Sequence, residues 1–350
     1  MTRFDGFGSD NHAGVHPNIL SALHAANTGY AVAYGDDPYT EKAIKKLKKI
    51  FGQKADIFFV YNGTAANILG LKNVTQSFQS VLCAETAHLN VHECCGPEHF
   101  IGCKLTIVPT PDGKLTVDLL KPYLVEHDDV HMAQPHVVSI TQATEQGTVY
   151  TSNEIKTLAD FIHSKGMILH MDGARLSNAA AFLQTSLAEI SGDAGVDVLS
   201  FGGTKNGLMF GEAVIFFQKN FAQNFGYIRK QGMQLASKMR FIAVQFDALM
   251  TDDLWLHNAT HANKMAQLLG EKLAEIPSVK ITQKIQANMV FAVLPKKIIP
   301  ALQKKYFFHM FNSWASEIRF VCSFQTQEDD VMRLVQTVHT LIKKGNCSTL

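Results

Sequence analysis

Hydrophobic positions along the chain follow two patterns, short apolar runs of strand type and amphipathic segments of helix type. The clearest unit starts with VVSITQATEQGTVYT at 137–151, a buried-type strand that runs into a polar loop. The helical pattern at 152–166 follows, with Ser152 or Asn153 as the expected N-cap, and ILHM at 168–171 is the next strand. A strand–helix–strand unit with a right-handed crossover favours a parallel sheet.

The same patterns predict elements over the rest of the chain. Residues 3–15 are polar and glycine-rich, which indicates an extended arm rather than a strand or helix. Pro17 opens a helix at about 17–27, and YTEKAIKKLKKIFG forms an amphipathic helix that Gly52 ends. Further predictions are a strand, turn and helix start over 57–71, strands at 81–85, 197–201, 212–217, 288–294 and 318–322, nearly continuous helix over 220–276, and helices at 297–305 and 328–344.

These elements predict an α/β fold with two domains. A mostly parallel sheet is expected in a large domain over 21–250, after an N-terminal arm over 1–20. The alternation of short strands and helices after residue 250 predicts a smaller α+β domain over 251–350, entered through a long helix. The chain shows no internal repeat and no low-complexity linker.

Composition and charge restrict the function classes. The 350 residues are 46% hydrophobic, and 32 basic residues balance 31 acidic ones. This balance gives no electrostatic footprint for nucleic acid or for an anionic membrane, and the lysines at 45–49 are interpreted as a solvated helix face. No apolar run resembles a signal peptide or a membrane span, so we expect a soluble, cytoplasmic protein without membrane or nucleic-acid partners.

Cysteine and histidine usage gives little support for a metal site. Six cysteines (83, 94, 95, 103, 322 and 347) form no C-x-x-C pair, and we interpret them as reduced structural thiols. His88, His92 and Glu93 follow the strand at 81–85, but the two histidines lack a convincing third ligand. No metal is therefore expected. His88 suits either a flat imidazole over a flat cofactor ring or an ordinary structural histidine.

The strongest candidate chemistry is a carboxylate and a lysine at the ends of successive strands. ILHM ends on Asp172, and the run ending in Phe201 leads through two glycines and Thr204 to Lys205. Functional groups in open α/β sheets gather beyond the carboxyl ends of parallel strands, so both side chains should face one crevice. A lysine that forms a Schiff base and a carboxylate that keeps a pyridine nitrogen protonated suit pyridoxal phosphate. Gly173 and Ala174 are small enough to let a flat group approach the backbone.

A second motif offers a phosphate site. Asn62, Gly63 and Thr64 stand where a strand turns into a helix, and free N–H groups at a helix start bind anions. An ordinary helix cap explains the same three residues equally simply. The chain contains no dinucleotide-binding G-x-G-x-x-G, no P-loop and no G-x-S-x-G elbow.

Taken in order, these motifs resemble a known family. The chain is similar to the fold-type I pyridoxal-phosphate enzymes of the threonine aldolase and β-eliminating lyase family, and most of all to its low-specificity L-threonine aldolase and phenylserine aldolase branch. The matching stretches, from residue 9 to 241, are SDNHAG, YGDDPYT, FFVYNGTAAN, HLNVHECCGPE, SITQATEQGTVYT, HMDGAR, SFGGTKNG and QLASKMRF.

The resemblance implies a role for each matching residue. Lys205 would carry the cofactor, Asp172 would face its ring nitrogen and His88 would stack on the ring. Implied cofactor-binding residues are Asn62, Gly63, Thr64, His88, Asp172, Arg175 and Lys205. Implied substrate-binding residues are Ser9, Tyr34, Arg175 and Arg319, with Ser9 and Arg319 on the carboxylate. Tyr34 and the Arg229–Lys230 pair would come from a neighbouring subunit.

One departure from the family pattern concerns the base. Many threonine aldolases carry a histidine in an L-E-N-T-H stretch beside the substrate hydroxyl, whereas Glu145 in QATEQ holds the corresponding position here. The base that takes the hydroxyl proton is therefore His88, Glu145 or a water held between them. The expected catalytic residues are Lys205, His88 and Glu145.

The implied activity is cleavage of L-β-hydroxy-α-amino acids, such as L-threonine, L-allo-threonine and L-phenylserine, to glycine and an aldehyde. Family resemblance leaves two alternatives open, because a fold does not fix a function. One is a β-elimination or transamination on the same scaffold, and the other is a non-catalytic binding protein. A homodimer or homotetramer with shared active sites is the implied assembly.

Overall fold

The computed structural model describes residues 5–124 and 129–347, which form α-helices and β-strands in an α/β arrangement. The helices are α1 (Pro17–Ala26), α2 (Pro38–Phe51), α3 (Gly63–Val74), α4 (His88–Val91), α5 (Gly96–Ile101), α6 (Val117–Leu120), α7 (Ser152–His163), α8 (Leu176–Leu183), α9 (Phe225–Gln231), α10 (Arg240–Leu249), α11 (Leu254–Ala274), α12 (Ile299–Gln303) and α13 (Glu328–Cys347). The strands are β1 (Asp5–Gly6), β2 (Asp56–Val60), β3 (Gln79–Ala84), β4 (Lys104–Val108), β5 (Gln134–Thr141), β6 (Ile168–Gly173), β7 (Val198–Gly202), β8 (Glu212–Phe216), β9 (Lys280–Ile281), β10 (Met289–Val293), β11 (Tyr306–Phe307), β12 (His309–Asn312) and β13 (Glu317–Val321).

A seven-stranded sheet in the order β2-β8-β7-β6-β5-β3-β4 forms the centre of the molecule. The four pairings from β4 through β3, β5 and β6 to β7 are parallel, whereas β8 runs antiparallel to both of its neighbours. The central strands of the seven-stranded sheet are buried, as expected for a sheet covered by helices on both faces. The predicted mostly parallel sheet is confirmed.

A smaller antiparallel sheet, in the order β12-β13-β10-β9, follows in the C-terminal part of the chain. It encloses a second hydrophobic core with α11 and α13 that includes Leu269, Phe320 and Leu334. The predicted α+β character of this region is confirmed. The helix α11 packs against both α8 and α13, so the boundaries 1–20, 21–250 and 251–350 stay a prediction.

The amphipathic helix α2 shows how the sequence sets its own ends. The carboxylate of Asp37 accepts the N–H of Thr40 at 2.9 Å, Pro38 occupies the first turn, and Gly52 ends the helix with a φ of +108°. Leu47 and Phe51 are buried on the face that the periodicity predicted.

Three expectations need correction. The N-cap of α7 is Thr151 rather than Ser152 or Asn153, because Thr151 and Glu154 form a reciprocal capping box. The N-terminal arm is not uniformly extended: β1 pairs with β11, and Asp10–His12 is a 3-10 turn capped by Ser9. The helical stretch over 220–276 is divided into α9, α10 and α11 by loops that contain Met233, Asp252 and Asp253, all with positive φ.

The unpredicted strands β4, β9, β11 and β12 are short or lie at the edges of their sheets, where a hydrophobic pattern is weak. Within the described ranges, no helix combines the length and the apolar character that crossing a membrane requires.

Candidate active site

The carboxyl ends of β3, β5, β6 and β7 open into one cavity of about 660 Å³. Residues of the N-terminal arm and of the small sheet close its other side. The structure thus brings together every predicted site residue except Tyr34. These are Ser9, Asn62, Gly63, Thr64, His88, Glu145, Asp172, Arg175, Lys205 and Arg319.

The N-terminus of α3 forms one end of the cavity. The side-chain oxygen of Asn62 accepts the N–H of Ala65 at 2.9 Å, so Asn62 is the N-cap, and the earlier N–H groups of Gly63 and Thr64 are left for an anion. A Cβ atom added at Gly63 would meet nothing within 4 Å, which leaves space for a phosphate group against the backbone. The helix cap and the phosphate site that N-G-T predicts are compatible, because capping by Asn62 orients the helix start.

Asp172 lies buried on β6 with both carboxylate oxygens held. Its Oδ2 accepts a hydrogen bond from Nδ2 of Asn67 at 2.8 Å, and its Oδ1 accepts the N–H of Ala174 at 3.0 Å. Asn67 follows Asn62 by five residues on α3, a spacing that places it over the strand ends, but the sequence pattern alone gave no reason to select it. The carboxylate is therefore fixed in direction before any ligand binds.

The glycines near these strands serve backbone packing. A Cβ atom at Gly173 would lie 2.7 Å from Leu199 and 2.9 Å from the Ser200 carbonyl oxygen, and one at Gly202 would lie 2.5 Å from the Ala174 carbonyl oxygen. Gly173 thus lets β6 approach β7, and only Ala174 borders the cavity. The expectation that Gly173 makes room for a flat ligand was wrong.

His88 is held by two carboxylates. Its Nδ1 lies 2.7 Å from Oε1 of buried Glu93, and its backbone N–H donates to Oε1 of Glu145 at 2.8 Å. The hydrogen bond to Glu93 raises the pKa of His88, and burial opposes this effect. The sequence offered Glu93 only as a possible metal ligand, whereas the structure makes it the partner of His88.

Glu145 is a carboxyl group in the cavity and one of the candidate bases. Its Oε1 accepts hydrogen bonds from His88 and from the Thr141 hydroxyl at 3.0 Å, while its buried Oε2 has no hydrogen-bond partner among the described residues. Burial, assisted by the negative charge of Asp172, raises the pKa of Glu145 to about 7. The group therefore changes charge near neutral pH.

Lys205 lies in a 3-10 turn, Thr204–Asn206, directly after β7. The turn is adjacent to Glu212 at the start of β8, and Lys205 and Glu212 both line the cavity. Burial raises the pKa of Glu212 to about 7. Nothing in the sequence pattern pointed to Glu212, because it stands at the first position of an apparently apolar strand.

Arg175 is engaged by Asp10 of the N-terminal arm. Its Nε and Nη2 each donate to one oxygen of Asp10 at 2.8 Å, and Nδ2 of Asn288 donates to the same carboxylate at 2.9 Å. Although burial acts in the opposite direction, Arg175 holds the pKa of Asp10 below its ordinary value. The role of Arg175 toward cofactor or substrate stays a prediction, and its ion pair with Asp10 was not foreseen.

Arg319 projects from β13 into the same cavity. Its buried Nε has no hydrogen-bond partner among the described residues, and burial lowers its pKa to about 10. Ser9, the N-cap of its 3-10 turn, lines the cavity as well. A partly desolvated guanidinium with an unpaired buried Nε is suited to bind a carboxylate.

Tyr34 lies outside the cavity and is 49% exposed. The amine of Lys230 lies 5.1 Å from the centre of the Tyr34 ring. Arg229, in contrast, donates from Nη1 to the Phe59 carbonyl oxygen at 3.2 Å and packs on the Phe58 ring of its own chain. The side chain of Arg229 therefore contacts its own fold, and a role across subunits stays a prediction for Tyr34, Arg229 and Lys230.

A lysine beyond one parallel strand, a carboxylate at the end of the next and an anion-binding helix start define a pyridoxal-phosphate enzyme of fold-type I. The chain belongs to the beta-eliminating lyase family, whose model matches residues 6–295.

Individual relatives agree with this assignment. The chain is 44% identical over 338 residues to the low specificity L-threonine aldolase of Pseudomonas aeruginosa, covering 96% of this chain and 97% of that protein. It is 26% identical to the enzyme of the same name from Saccharomyces cerevisiae over 83% of this chain and 74% of that protein. The solved structure of Leishmania major threonine aldolase superimposes with a TM-score of 0.91, at 29% identity, over 96% of this chain and 99% of that one.

Proposed function

We propose that this protein cleaves L-β-hydroxy-α-amino acids, with L-threonine, L-allo-threonine and L-phenylserine as candidate substrates, to glycine and an aldehyde. The observation that carries the proposal is one cavity lined by Lys205, Asp172, His88, Glu145 and Arg319, the last with a buried Nε that has no hydrogen-bond partner among the described residues. The names of the relatives support the same reaction.

The residues present fit pyridoxal phosphate. Lys205 would hold its carbonyl carbon, Asp172 its ring nitrogen and the α3 start its phosphate, while His88 would cover one face of the ring. When bound, the cofactor supplies an electron sink for the electron pair that the broken Cα–Cβ bond leaves behind. Asp172 supports this by keeping a proton on the ring nitrogen, and Asn67 and the Ala174 N–H fix the direction of its oxygens.

Arg319 would orient the substrate. A guanidinium that binds the substrate carboxylate through two parallel hydrogen bonds fixes the rotation about the Cα bonds, which decides which bond breaks. Ser9 adds a hydroxyl from the arm.

Glu145 is the base that we assign to the β-hydroxyl proton. Its free Oε2 is buried in the cavity, and its pKa of about 7 matches a group that must accept and release a proton near neutral pH. His88, or a water between the two side chains, is the alternative base. The hydrogen bond from the His88 N–H to Glu145 Oε1 keeps the two residues at a fixed separation.

The test is aldehyde release from the three candidate substrates with added pyridoxal phosphate, comparing the native protein with Lys205→Ala. Release by the native protein alone supports the proposal. Ammonia or a keto acid in place of aldehyde and glycine would identify a β-elimination or a transamination. A native protein that binds the cofactor but releases no product at all would favour the non-catalytic binding protein.

We propose a homodimer or homotetramer with shared active sites. Support comes from exposed aromatic and sulfur-containing side chains, among them Tyr30, Tyr34, Tyr227 and Met233. If Tyr34 acts across subunits, a mixture of Tyr34→Ala and Lys205→Ala should recover activity that each variant lacks. A monomer in analytical ultracentrifugation would contradict the proposal.

We propose a reducing, cytoplasmic compartment because the buried cysteines are free thiols. Cys83, Cys103 and Cys322 are buried and free, and burial raises the pKa of Cys103 to about 11. Fractionation of the producing cells measures the compartment directly, and recovery from the medium or the periplasm would contradict this location.

A further inference from the structure

Glu212 is a buried carboxyl group in the cavity that the proposed reaction does not use. It pairs with Gly202 across β7 and β8, and its Oε2 accepts the N–H of Gly203 at 2.8 Å. The hydroxyl and N–H of Thr204 also stabilise its carboxylate. These contacts bind the two residues that precede Lys205, so the carboxylate holds the start of the turn that carries the lysine.

The backbone around this contact leaves little freedom. A Cβ atom at Gly203 would lie 2.4 Å from the Leu208 side chain and 2.9 Å from the Gly211 carbonyl oxygen. Thr204 Oγ1 accepts the N–H of Gly211 at 3.2 Å. The turn is therefore tightly packed. The Glu212 carboxylate binds the backbone of this turn and does not merely fill space beside it.

Electrostatics connect Glu212 with the lysine itself. The positive charge of Lys205 and the hydrogen bonds from Gly203 and Thr204 favour the ionised carboxylate, whereas burial disfavours it. Asp10 and His88 also act on Lys205 through their charges. The charge of Asp10 is largely balanced by Arg175, and a protonated His88 repels the lysine. Glu212 is a further carboxylate whose negative charge favours a cation there.

We propose that Glu212 is a positioning residue for Lys205, holding the turn that carries the lysine and adding a negative charge to the surroundings of its amine. This inference rests on the proposed function only in taking Lys205 as the cofactor lysine. With Glu212 ionised, the nitrogen that links Lys205 to the cofactor should retain its proton more readily.

The test is a pH titration of the visible absorbance of the holoenzyme, because the absorbance of the Lys205–cofactor linkage changes when its nitrogen loses a proton. Glu212→Gln keeps an oxygen that can accept from Gly203 but removes the charge, so the midpoint should fall by about one pH unit. Glu212→Asp retains the charge and should lie closer to the native midpoint than Glu212→Gln does. The exposed Glu275→Gln serves as the matched control and should not move it.

A folded Glu212→Gln variant with the native midpoint would overturn the inference. If that variant does not fold, Thr204→Val gives a second test. It removes one hydrogen bond to the carboxylate, which weakens ionisation of Glu212, and should shift the midpoint in the same direction by less; no shift would again overturn the inference.

The two proposals fail separately. Borohydride reduction followed by peptide mass spectrometry first shows whether Lys205 carries the cofactor, and a cofactor on another lysine would overturn the inference. A shifted midpoint in an enzyme that releases no aldehyde would support the role of Glu212 and reject the aldolase reaction. Aldehyde release with an unshifted midpoint would support the aldolase reaction and reject the role of Glu212.

Discussion

Buried Glu93 and partly exposed His88 form a hydrogen-bonded pair, with 2.7 Å between the carboxylate Oε1 and the imidazole Nδ1. The pair fixes the plane of the imidazole, because the backbone N–H of His88 is held at the same time by Glu145. Asn67 lies between Glu93 and Asp172 and is within 3.5 Å of Glu93 Oε1. The residue expected to stack on the cofactor and the one expected to face its ring nitrogen thus share one network.

Glu93→Gln should lower the pKa of His88, since the hydrogen bond to the carboxylate is the main effect that raises it. Titration of the His88 ring by NMR measures the change, and the fall in kcat should be larger than the change in KM. The exposed His24 provides the reference in the same spectra. A His88 that titrates as in the native protein would mean that Glu93 is only a packing residue.

Glu145→Gln should lower kcat by roughly 10²- to 10⁴-fold, the usual contribution of a general base. In the native protein, activity should fall as the pH drops through about 7, because the carboxyl group then becomes protonated. The pH profile of kcat/KM checks the midpoint. A Glu145→Gln enzyme that keeps the same acidic limb would instead assign the proton transfer to His88.

The same substitution should stabilise the protein at high pH. The folded-state pKa of Glu145 lies above its ordinary value of 4.5, so ionisation destabilises the fold as the pH rises from about 4.5 to 7. Glutamine avoids this cost, which is on the order of 3 kcal/mol. Thermal unfolding should show a higher midpoint for Glu145→Gln at pH 8 and little difference at pH 4.5. A lower midpoint at pH 8 would show that the carboxylate makes favourable contacts when it is ionised.

Asp10→Ala should destabilise the fold by roughly 3 to 5 kcal/mol, because it leaves the buried guanidinium of Arg175 without a partner. Asp10 also binds Asn288, so the loss should loosen the arm from the small sheet. The midpoint of urea unfolding measures the effect. Asp160→Ala, which removes an exposed ion pair with Lys156, should leave the midpoint unchanged.

Arg319→Ala should raise KM about 10- to 100-fold with a smaller effect on kcat, as expected for a charged hydrogen-bonding group that binds the substrate carboxylate. Arg319→Lys should recover part of the affinity, because it restores the charge without the two parallel hydrogen bonds. Initial-rate kinetics with L-threonine distinguish the cases. An unchanged KM in Arg319→Ala would remove this residue from the carboxylate site.

The sequence predicted the strands that carry the site because each ends in a recognisable way. The apolar run before Asp172 and the two glycines before Lys205 are local features, and the rule that parallel strands present their carboxyl ends together placed both side chains in one crevice. The capping box of Thr151 and Glu154 was equally local, but the neighbouring Ser152 and Asn153 offered competing caps.

The partners of these residues could not be predicted in the same way. Asp10 contacts Arg175 and Asn288 across separations of 165 and 278 residues, and no periodicity reports such a contact. Gly173 was assigned to the cofactor because a glycine is small, but the close neighbour is Leu199 on the next strand. A local sequence pattern shows which conformations and contacts a residue allows. Only the packed structure shows which residues it contacts.

By itself the sequence determined the α/β class, the positions of the main strands along the chain and the candidate lysine and carboxylate, because hydrophobic period and strand-end chemistry act over a few residues. The tertiary structure alone decided which groups share a charge environment. Glu93, Glu145 and Glu212 differ in their surroundings: Glu93 is the hydrogen-bond partner of an imidazole, Glu145 has a buried oxygen without a partner among the described residues, and Glu212 accepts the N–H of Gly203 before the lysine turn. Burial and the neighbouring charges set these differences, and both depend on residues distant in the chain.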